Sequence, residues 1–390
     1  MKSKFFKIGV VGLGYVGLPL ACELSDKYIT FGFDVNKKRI EQLKVGFDVN
    51  SEITKEEIIK PKLFLTNIIQ ELKDCNIYII AVPTPIYKNK HPNLTMLKKA
   101  CNLVGKYLRP NDIVIFESTV YPGTTEEFCI PILENSSNLL CKTNHKSSNN
   151  TFGCGYSPER VNPGDKNKKI TDIMKITSGH DKTTSRIVDE LYKSVIKAGT
   201  FNVETIKIAE AAKIIENTQR DINIALINEF SKVLNKMGIN SNDVLNAAKT
   251  KWNFLDFQPG LVGGHCIGVD PYYLAYKAKK LGISPNLILE GRNINEQMYK
   301  YIAIRFKKGV EKKGIKFKDC RIIIFGFTFK ENCKDVRNTG VLNLFNQLKK
   351  MGARPEIYDP FAEISPDKIY QKIKFIKDLK SNYYDGGILA

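Results

Sequence analysis

Gly263-Gly264-His265-Cys266-Ile267-Gly268-Val269-Asp270-Pro271 places one thiol in a glycine-flanked loop, with a carboxylate four residues later. Glycines let a backbone approach a ligand closely, and a thiolate beside positive charge or helix-end amides is a nucleophile. A thiol can add to an aldehyde as a thiohemiacetal, which becomes a thioester on losing a hydride. The chain opens with Gly12-Leu13-Gly14-Tyr15-Val16-Gly17, a spacing that turns a strand sharply into a helix and sets a pyrophosphate against the first helical amides. A nucleophilic thiol and a dinucleotide fingerprint in one chain point to oxidation of an alcohol through an aldehyde to an acid.

The fingerprint has its required surroundings, since Lys7–Val11 reads as a strand and Leu18–Leu24 as the helix it opens. Asp34 closes the next strand, where its carboxylate accepts from ribose hydroxyls and repels a 2′-phosphate, so NAD is favoured over NADP. Lys37, Lys38 and Arg39 weaken that preference without reversing it. Val82-Pro83-Thr84-Pro85 and Glu117-Ser118-Thr119-Val120 follow the next two strands, and ligands of doubly wound sheets collect at such carboxyl ends. Lys213 and Asn217 lie one helical turn apart on one face. Among Ala211, Ala212, Ile214 and Ile215, a partly buried Lys213 would serve as an oxyanion partner, and Asp270 would orient a water or hold that lysine. Each feature has a plain structural alternative: a turn without a ligand, ordinary strand ends, a solvated lysine, a buried thiol.

The elements that must position these groups follow from composition and periodicity. A chain of 390 residues with 43% hydrophobic and 26% charged content is an ordinary globular one with room for two or three domains. It contains no apolar run of about 18 residues that would span a bilayer. The basic, apolar start runs straight into the fingerprint without a cleavage site, so it reads as a strand, and a cytoplasmic location is expected. Nine cysteines without CxxC spacing argue against a disulfide framework, and four scattered histidines against a metal site. The net charge of +19 raises nucleic acid as a partner. However, the lysines are dispersed and not interleaved with aromatics, so neither nucleic acid nor membrane is expected.

Candidate strands are Lys7–Val11, Thr30–Phe33, Ile77–Val82, Asp112–Phe116, Phe152–Tyr156 and Ile173–Thr177, alternating with helices as in a parallel α/β sheet. Asn135–Asn150, rich in Ser and Asn, reads as a surface loop. From Thr205 to Gly238 one long helix is expected, with Ile206, Ala209, Ile214, Ile222, Ala225, Ile227 and Phe230 at helical spacing, a natural dimer surface. Helical texture continues to Lys313. A second α/β pattern follows: a strand at Arg321–Gly326, a helix at Val341–Met351, a strand at Arg354–Pro360 and the start of another at Tyr384–Ala390. The expected fold is two Rossmann-like doubly wound α/β domains, residues 1–204 and 314–390, joined by a long central helix and a helical middle domain over 205–313.

With these residues assembled, the chain resembles the UDP-glucose/GDP-mannose dehydrogenase family along essentially its whole length. The resemblance is carried by the glycine fingerprint, Val82-Pro83-Thr84-Pro85, Glu117-Ser118-Thr119, Ser157-Pro158-Glu159-Arg160, Lys213 with Asn217, Gly263-Gly264-His265-Cys266 and Phe327-Thr328-Phe329-Lys330, in family order. Within the family it is most similar to bacterial UDP-N-acetylhexosamine 6-dehydrogenases that supply uronic acids for surface polysaccharide. Ser157–Asp165, Glu216–Asp221 and Lys251–Phe254 with Pro259–Cys266 carry that likeness. Pro163 and Lys251 stand where UDP-glucose enzymes typically carry a glutamate and an arginine.

The resemblance implies a four-electron, NAD-dependent oxidation of the sugar C6 through Cys266. It implies Lys213 and Asn217 at the oxyanion, Asp270 supporting Lys213 or the water, Glu159 as general base of hydrolysis and Thr119 near C6. Cofactor contacts would come from Gly12, Gly14, Tyr15, Val16, Gly17, Asp34, Arg39, Val82, Pro83, Thr84, Ser118, Thr119 and Arg337. Glu159, Arg160, Val161, Lys213, Asn217, Arg220, Phe257, Pro259, Gly260, Gly263, Phe329 and Lys330 would hold the UDP-sugar, and a homodimer through the central helix is expected. The alternatives are oxidation of UDP-glucose or UDP-ManNAc, a two-electron dehydrogenase of the 6-phosphogluconate or hydroxyacyl type, and an inactive nucleotide-sugar binder, since family members usually run past the Asp-Gly-rich strand that ends this chain.

Overall fold

The computed structural model describes residues 6–143, 149–161, 168–331, 334–362, 370–371 and 373–390. It comprises two compact units, Met1–Ile215 and Glu216–Ala390. The strands of the first unit are β1 (Lys7–Val11), β2 (Ile29–Phe33), β3 (Leu63–Thr66), β4 (Ile77–Ile80), β5 (Ile113–Phe116), β6 (Leu140–Cys141), β7 (Thr151–Tyr156), β8 (Lys175–Gly179) and β9 (Thr200–Asn202). Its helices are α1 (Gly17–Ser25), α2 (Lys37–Lys44), α3 (Lys55–Ile58), α4 (Thr95–Gly105), α5 (Ile130–Ser137) and α6 (Lys182–Lys193).

The sheet runs β3-β2-β1-β4-β5-β7-β8-β9 with β6 against β7, and among its described strands β7 with β8 is the one antiparallel pair. Period-2 alternation sends successive side chains to opposite faces. Tyr78, Ile80, Val114 and Phe116 enter the core under α4 and α5, whereas Ile77, Ile79, Ile113 and Ile115 enter the core under α1, α2 and α6. Both faces are covered, which is why β4 and β5 read as unbroken apolar runs. The strand order reverses between β1 and β4, the crevice where doubly wound sheets bind ligands.

Helix α7 (Ile206–Lys236) begins in the first unit and continues into the second. The second unit adds α8 (Ser241–Ala248), α9 (Asp270–Lys280), α10 (Asn286–Lys312), β10 (Arg321–Phe325), α11 (Gly340–Lys350), β11 (Arg354–Tyr358) and β12 (Gly386–Leu389). Its parallel sheet has the order β11-β10-β12, and Ala303 and Val310 of α10 and Leu344, Phe345 and Leu348 of α11 share its core. The mixed α/β class and the Rossmann-type first sheet are as expected.

Both sheets build the turn after their central strand alike. Gly12, at φ 97°, and Gly326, at φ 93°, take a backbone conformation that favours glycine. Each donates its amide to the neighbouring strand end, Gly12 to the Phe33 carbonyl at 2.8 Å and Gly326 to that of Tyr358 at 3.0 Å. The acid that follows caps the next amide: Asp34 accepts from Leu13 N at 2.9 Å and Asp359 from Phe327 N at 2.6 Å.

Two expectations need correction. The strand expected at Ile173–Thr177 is β8, displaced to Lys175–Gly179, because Ile173 still belongs to the turn after a short 3-10 helix, Ile170–Asp172. Asn135–Asn150 is not all loop: α5 persists to Ser137, ends on Asn138 at φ 57°, and is followed by β6. Phe230, one of the apolar positions expected on α7, is 46% exposed and belongs to none of the core clusters among the described residues. Strands β3, β6 and β9 escaped the sequence because they are only two to four residues long and partly exposed, and even Leu63-Phe64-Leu65 of β3 is too short an apolar run to mark a strand. Asn162–Asp165, part of one resemblance motif, lie outside the described residues.

Candidate active site

In the first unit, the glycine turn is shaped for a dinucleotide. A Cβ on Gly17 would lie 1.8 Å from the Gly12 carbonyl oxygen, so helix and strand pack too closely for a side chain there. A Cβ on Gly14 would meet nothing within 4 Å, which leaves a cradle open beside the start of α1. Helix α1 has no side-chain cap, so its positive end suits a phosphate. Asp34 accepts from Leu13 N and, at 2.9 Å, from Asn36 N; a carboxylate has further lone pairs for ribose hydroxyls. These features fit NAD. Arg39 is buried, donates to the Leu13 carbonyl at 3.1 Å and lies 2.7 Å from Asp48, so it braces the turn from behind.

The two strand-end segments are tied to each other. Ser118 Oγ donates to the Val82 carbonyl at 2.7 Å, and Thr84 Oγ1 to the Thr119 carbonyl at 2.6 Å. Those hydroxyl protons hold the crevice wall in shape, while the half-buried Thr119 side chain stays partly accessible. Pro83 is exposed.

Below these loops is a buried ionic cluster the sequence did not reveal. Lys175 on β8 lies 2.6 Å from Glu117 and 3.4 Å from Glu159, and Tyr192 donates its hydroxyl to Glu117. All four are buried. Burial pushes the Glu117 carboxyl up to about 7, against the pull of Lys175. Burial alone would lower the Lys175 ammonium, but Glu117 and Glu159 outweigh it and hold it above its ordinary value. Removing one member would strand a buried charge, at a cost of about 3–5 kcal/mol. The other oxygen of Glu159 accepts from its own loop's amides, Arg160 N at 2.6 Å and Val161 N. The guanidinium of Arg160 donates to the Met174 carbonyl at 2.8 Å.

Lys213 lies buried on α7. One turn earlier, Glu210 is buried and caps the amides of Gly123 and Thr125, with burial raising its carboxyl to about 7. Arg220, farther along α7, is exposed.

In the second unit, the Cys266 carbonyl accepts from Val269 N at 2.9 Å and Asp270 N at 2.8 Å, which curls the thiol loop into the first turn of α9. Asp270 and Asn217 are buried, and Asn217 Nδ2 donates to Asp270 Oδ2 at 2.6 Å. Among the eight described cysteines, Cys266 alone is not buried. Burial pushes the Cys22 and Cys75 thiols up to about 12, out of reach of nucleophilic chemistry.

The Phe-Thr-Phe-Lys segment after β10 supports this loop. A Cβ on Gly264, at φ 82°, would lie 2.7 Å from the Phe329 ring, and one on Gly263 would be 3.0 Å from the Asn338 carbonyl. The His265 ring meets Phe329 edge-on at 5.7 Å. His265 Nδ1 is 3.5 Å from Asp335, an ion-pair separation. Burial would lower the imidazole, yet Asp335 and the adjacent Cys266 sulfur raise it to about 9. Arg337 grips Asp335 through Nε at 2.9 Å and Nη2 at 2.6 Å, which helps hold that carboxylate far below the usual range. Phe257, Pro259, Gly260, Gly263 and Lys330 are half-buried around these segments. The His265–Asp335–Arg337 line was missed because its members are about seventy residues apart; the acid two places before Arg337 was its one local sign.

Three family models match in sequence order. The NAD binding domain of the UDP-glucose/GDP-mannose dehydrogenase family matches residues 6–196. The family's central domain matches 207–297 and its UDP binding domain 323–388. The chain is 49% identical over 385 residues to a UDP-N-acetyl-D-glucosamine 6-dehydrogenase of Salmonella typhi, covering 98% of this chain and 89% of that protein. It is 47% identical over 388 residues to one of Pseudomonas aeruginosa, covering 99% and 90%. The structure of a UDP-D-ManNAc dehydrogenase from Pyrococcus horikoshii superposes with a TM-score of 0.84 at 32% identity, over 94% of this chain and 87% of that one. The chain belongs to the UDP-glucose/GDP-mannose dehydrogenase family of NAD-dependent oxidoreductases.

Proposed function

We propose that this nucleotide-sugar 6-dehydrogenase oxidises the C6 alcohol of a UDP-N-acetylhexosamine, UDP-GlcNAc or UDP-GalNAc, to the uronic acid used in surface polysaccharide. The observation that carries the chemistry is that Cys266 alone among the described cysteines escapes burial, in a loop curled into the first turn of α9. The near-half identity to two UDP-N-acetyl-D-glucosamine 6-dehydrogenases supports the substrate class.

NAD, when bound, supplies the hydride acceptor for each of two oxidations. Cys266 Sγ bonds to the C6 aldehyde carbon and holds it as a thiohemiacetal. Loss of a hydride and a proton leaves the thioester, and a water's oxygen replaces the sulfur to release the carboxylate and restore the thiol. Asn217 keeps one Nδ2 hydrogen on Asp270 and offers the other to the developing oxyanion. Lys213 shares that task, Glu159 takes the proton from water, and Thr119 stands near C6. Gly12, Gly14, Gly17 and Asp34 hold the cofactor; Gly260, Gly263, Phe329 and Lys330 hold the nucleotide sugar.

A homodimer accompanies this reading. Leu226, Phe230, Val233 and Met237 are 46%, 46%, 53% and 65% exposed. Their spacing makes one apolar stripe along α7, beside a groove of about 420 Å³ lined by Val244, Leu245 and Phe254. Among the described residues no helix is long and apolar enough to cross a membrane.

The test is a panel of UDP-sugars assayed for NADH and product mass. Two NADH per sugar, with a product gaining one oxygen and losing two hydrogens, is expected from UDP-GlcNAc or UDP-GalNAc. A single NADH with an aldehyde product, or turnover of UDP-glucose alone, would overturn the proposal.

A further inference from the structure

Phe254–Gly263 contains no helix or strand, so no backbone ladder sets its path. Within it, Gly260 is held through both its polar groups by one side chain. Its amide donates to Asn228 Oδ1 at 2.8 Å, and Asn228 Nδ2 donates to its carbonyl at 3.0 Å. Since Gly260 presents a donor and an acceptor, only one orientation of the Asn228 amide satisfies both.

That orientation propagates inward. Asn228 Nδ2 also donates to Asn295 Oδ1 at 2.8 Å, which turns Asn295 Nδ2 toward Asp221, where it donates to Oδ1 at 2.8 Å and to the backbone carbonyl at 2.9 Å. Arg292 Nη1 closes the line on Asp221 Oδ1 at 2.6 Å. Asn228, Asn295, Asp221 and Arg292 are each no more than 3% exposed. The line is anchored on a buried ion pair, and every amide in it has one permitted direction. Asp221 Oδ2 and Arg292 Nε make no hydrogen bond among the described residues at the anchored end, but both side-chain amides, Asn295 and Asn228, are held on each side, and that fixes the geometry at Gly260.

At that end, a Cβ on Gly260 would meet nothing within 4 Å, and its φ lies outside the left-handed region. Neither packing nor backbone conformation in the protein itself therefore requires glycine at 260. Space beside a polar backbone held this firmly is what a ligand in close approach uses.

We infer that Asn228 is a positioning residue for nucleotide-sugar binding: backed by Asn295, Asp221 and Arg292, it presents Gly260 so that its open side receives the substrate. The inference rests on the reading that Pro259–Gly263 contacts the UDP-sugar. Asn228 touches no reacting atom, so its loss acts on KM rather than on kcat.

The experiment compares Asn228→Ala and Gly260→Val with the unchanged full-length protein, using UDP-N-acetylglucosamine and NAD well below the unfolding temperature. Asn228→Ala is expected to raise the KM for the sugar nucleotide about tenfold, as expected from losing both bonds to the loop, with kcat within about twofold and the KM for NAD unchanged. A purely architectural Asn228 would lower the unfolding temperature without this split. If Gly260→Val raises KM while Asn228→Ala leaves it unchanged, the inference is wrong and the loop reading stands. If neither moves KM, the loop reading fails and takes the inference with it. Should Asn228→Ala not fold, Asn228→Asp, of the same shape but unable to donate to Gly260, is expected to show the same KM rise. Hydrogen exchange in the unchanged protein is a separate check: a slow Gly260 amide is expected, and exchange as fast as in an open loop would overturn the inference.

Discussion

Asn217 donates to Asp270 across 2.6 Å with both side chains buried, although α7 and the start of α9 bring them from fifty-three positions apart in the chain. The carboxylate accepts one amide hydrogen, so it decides where the second one points. In the proposed mechanism Asp270 therefore acts through Asn217. Asp270→Asn offers an acceptor of lower charge and can turn a donor toward a donor. Its kcat is expected to fall roughly 10²-fold, with the KM for NAD little changed, in steady-state NADH release.

Two of the fingerprint glycines, Gly14 and Gly17, are expected to fail differently. Gly17→Ala forces a methyl to within 1.8 Å of the Gly12 carbonyl oxygen, so it should destabilise the first unit by at least about 1–3 kcal/mol. Gly14→Ala places its methyl in open space and should melt like the parent while binding NAD about tenfold more weakly. Thermal unfolding beside NAD titration separates the two. Equal melting of both variants would contradict the close packing of Gly17 on the Gly12 carbonyl.

The His265 imidazole is raised to about 9 from an ordinary 6.5 by Asp335 and the neighbouring Cys266 sulfur, with Arg337 opposing. A cation favoured by the fold adds stability that is complete below about pH 6.5 and is lost as pH rises through 9. The unfolding temperature is therefore expected to decline across that window, and His265→Gln should flatten the decline. An unchanged pH profile in His265→Gln would exclude the Asp335 pairing as its source.

The stripe of Leu226, Phe230, Val233 and Met237 predicts a second copy of this chain as its cover. Phe230→Asp places a charge in the middle of it and should shift the mass seen by light scattering at micromolar concentration from dimer to monomer. Because Phe230 is 46% exposed in the single chain, the substitution should leave the monomer's fold intact.

Features that a residue imposes on its own neighbourhood were legible in the sequence. Gly12 turns at a positive φ, α7 announces itself by apolar recurrence, and the unbroken apolar runs of β4 and β5 call for a sheet covered on both faces. Phe230 shows the limit of periodicity, which identifies an apolar face without saying whether a core or a partner covers it.

What tertiary structure alone decided is who pairs with whom. Lys175 reads as one more lysine in a chain of net charge +19 until β8 carries it between Glu117 and Glu159. Likewise, Asn228 reads as an unremarkable helix residue until the loop delivers Gly260 to it. Local conformation depends on a few adjacent dihedral angles and side chains, so a short stretch of residues is enough to specify it. Hydrogen bonds and ion pairs depend on a few tenths of an ångström between segments far apart in the chain, and only the completed packing brings them that close.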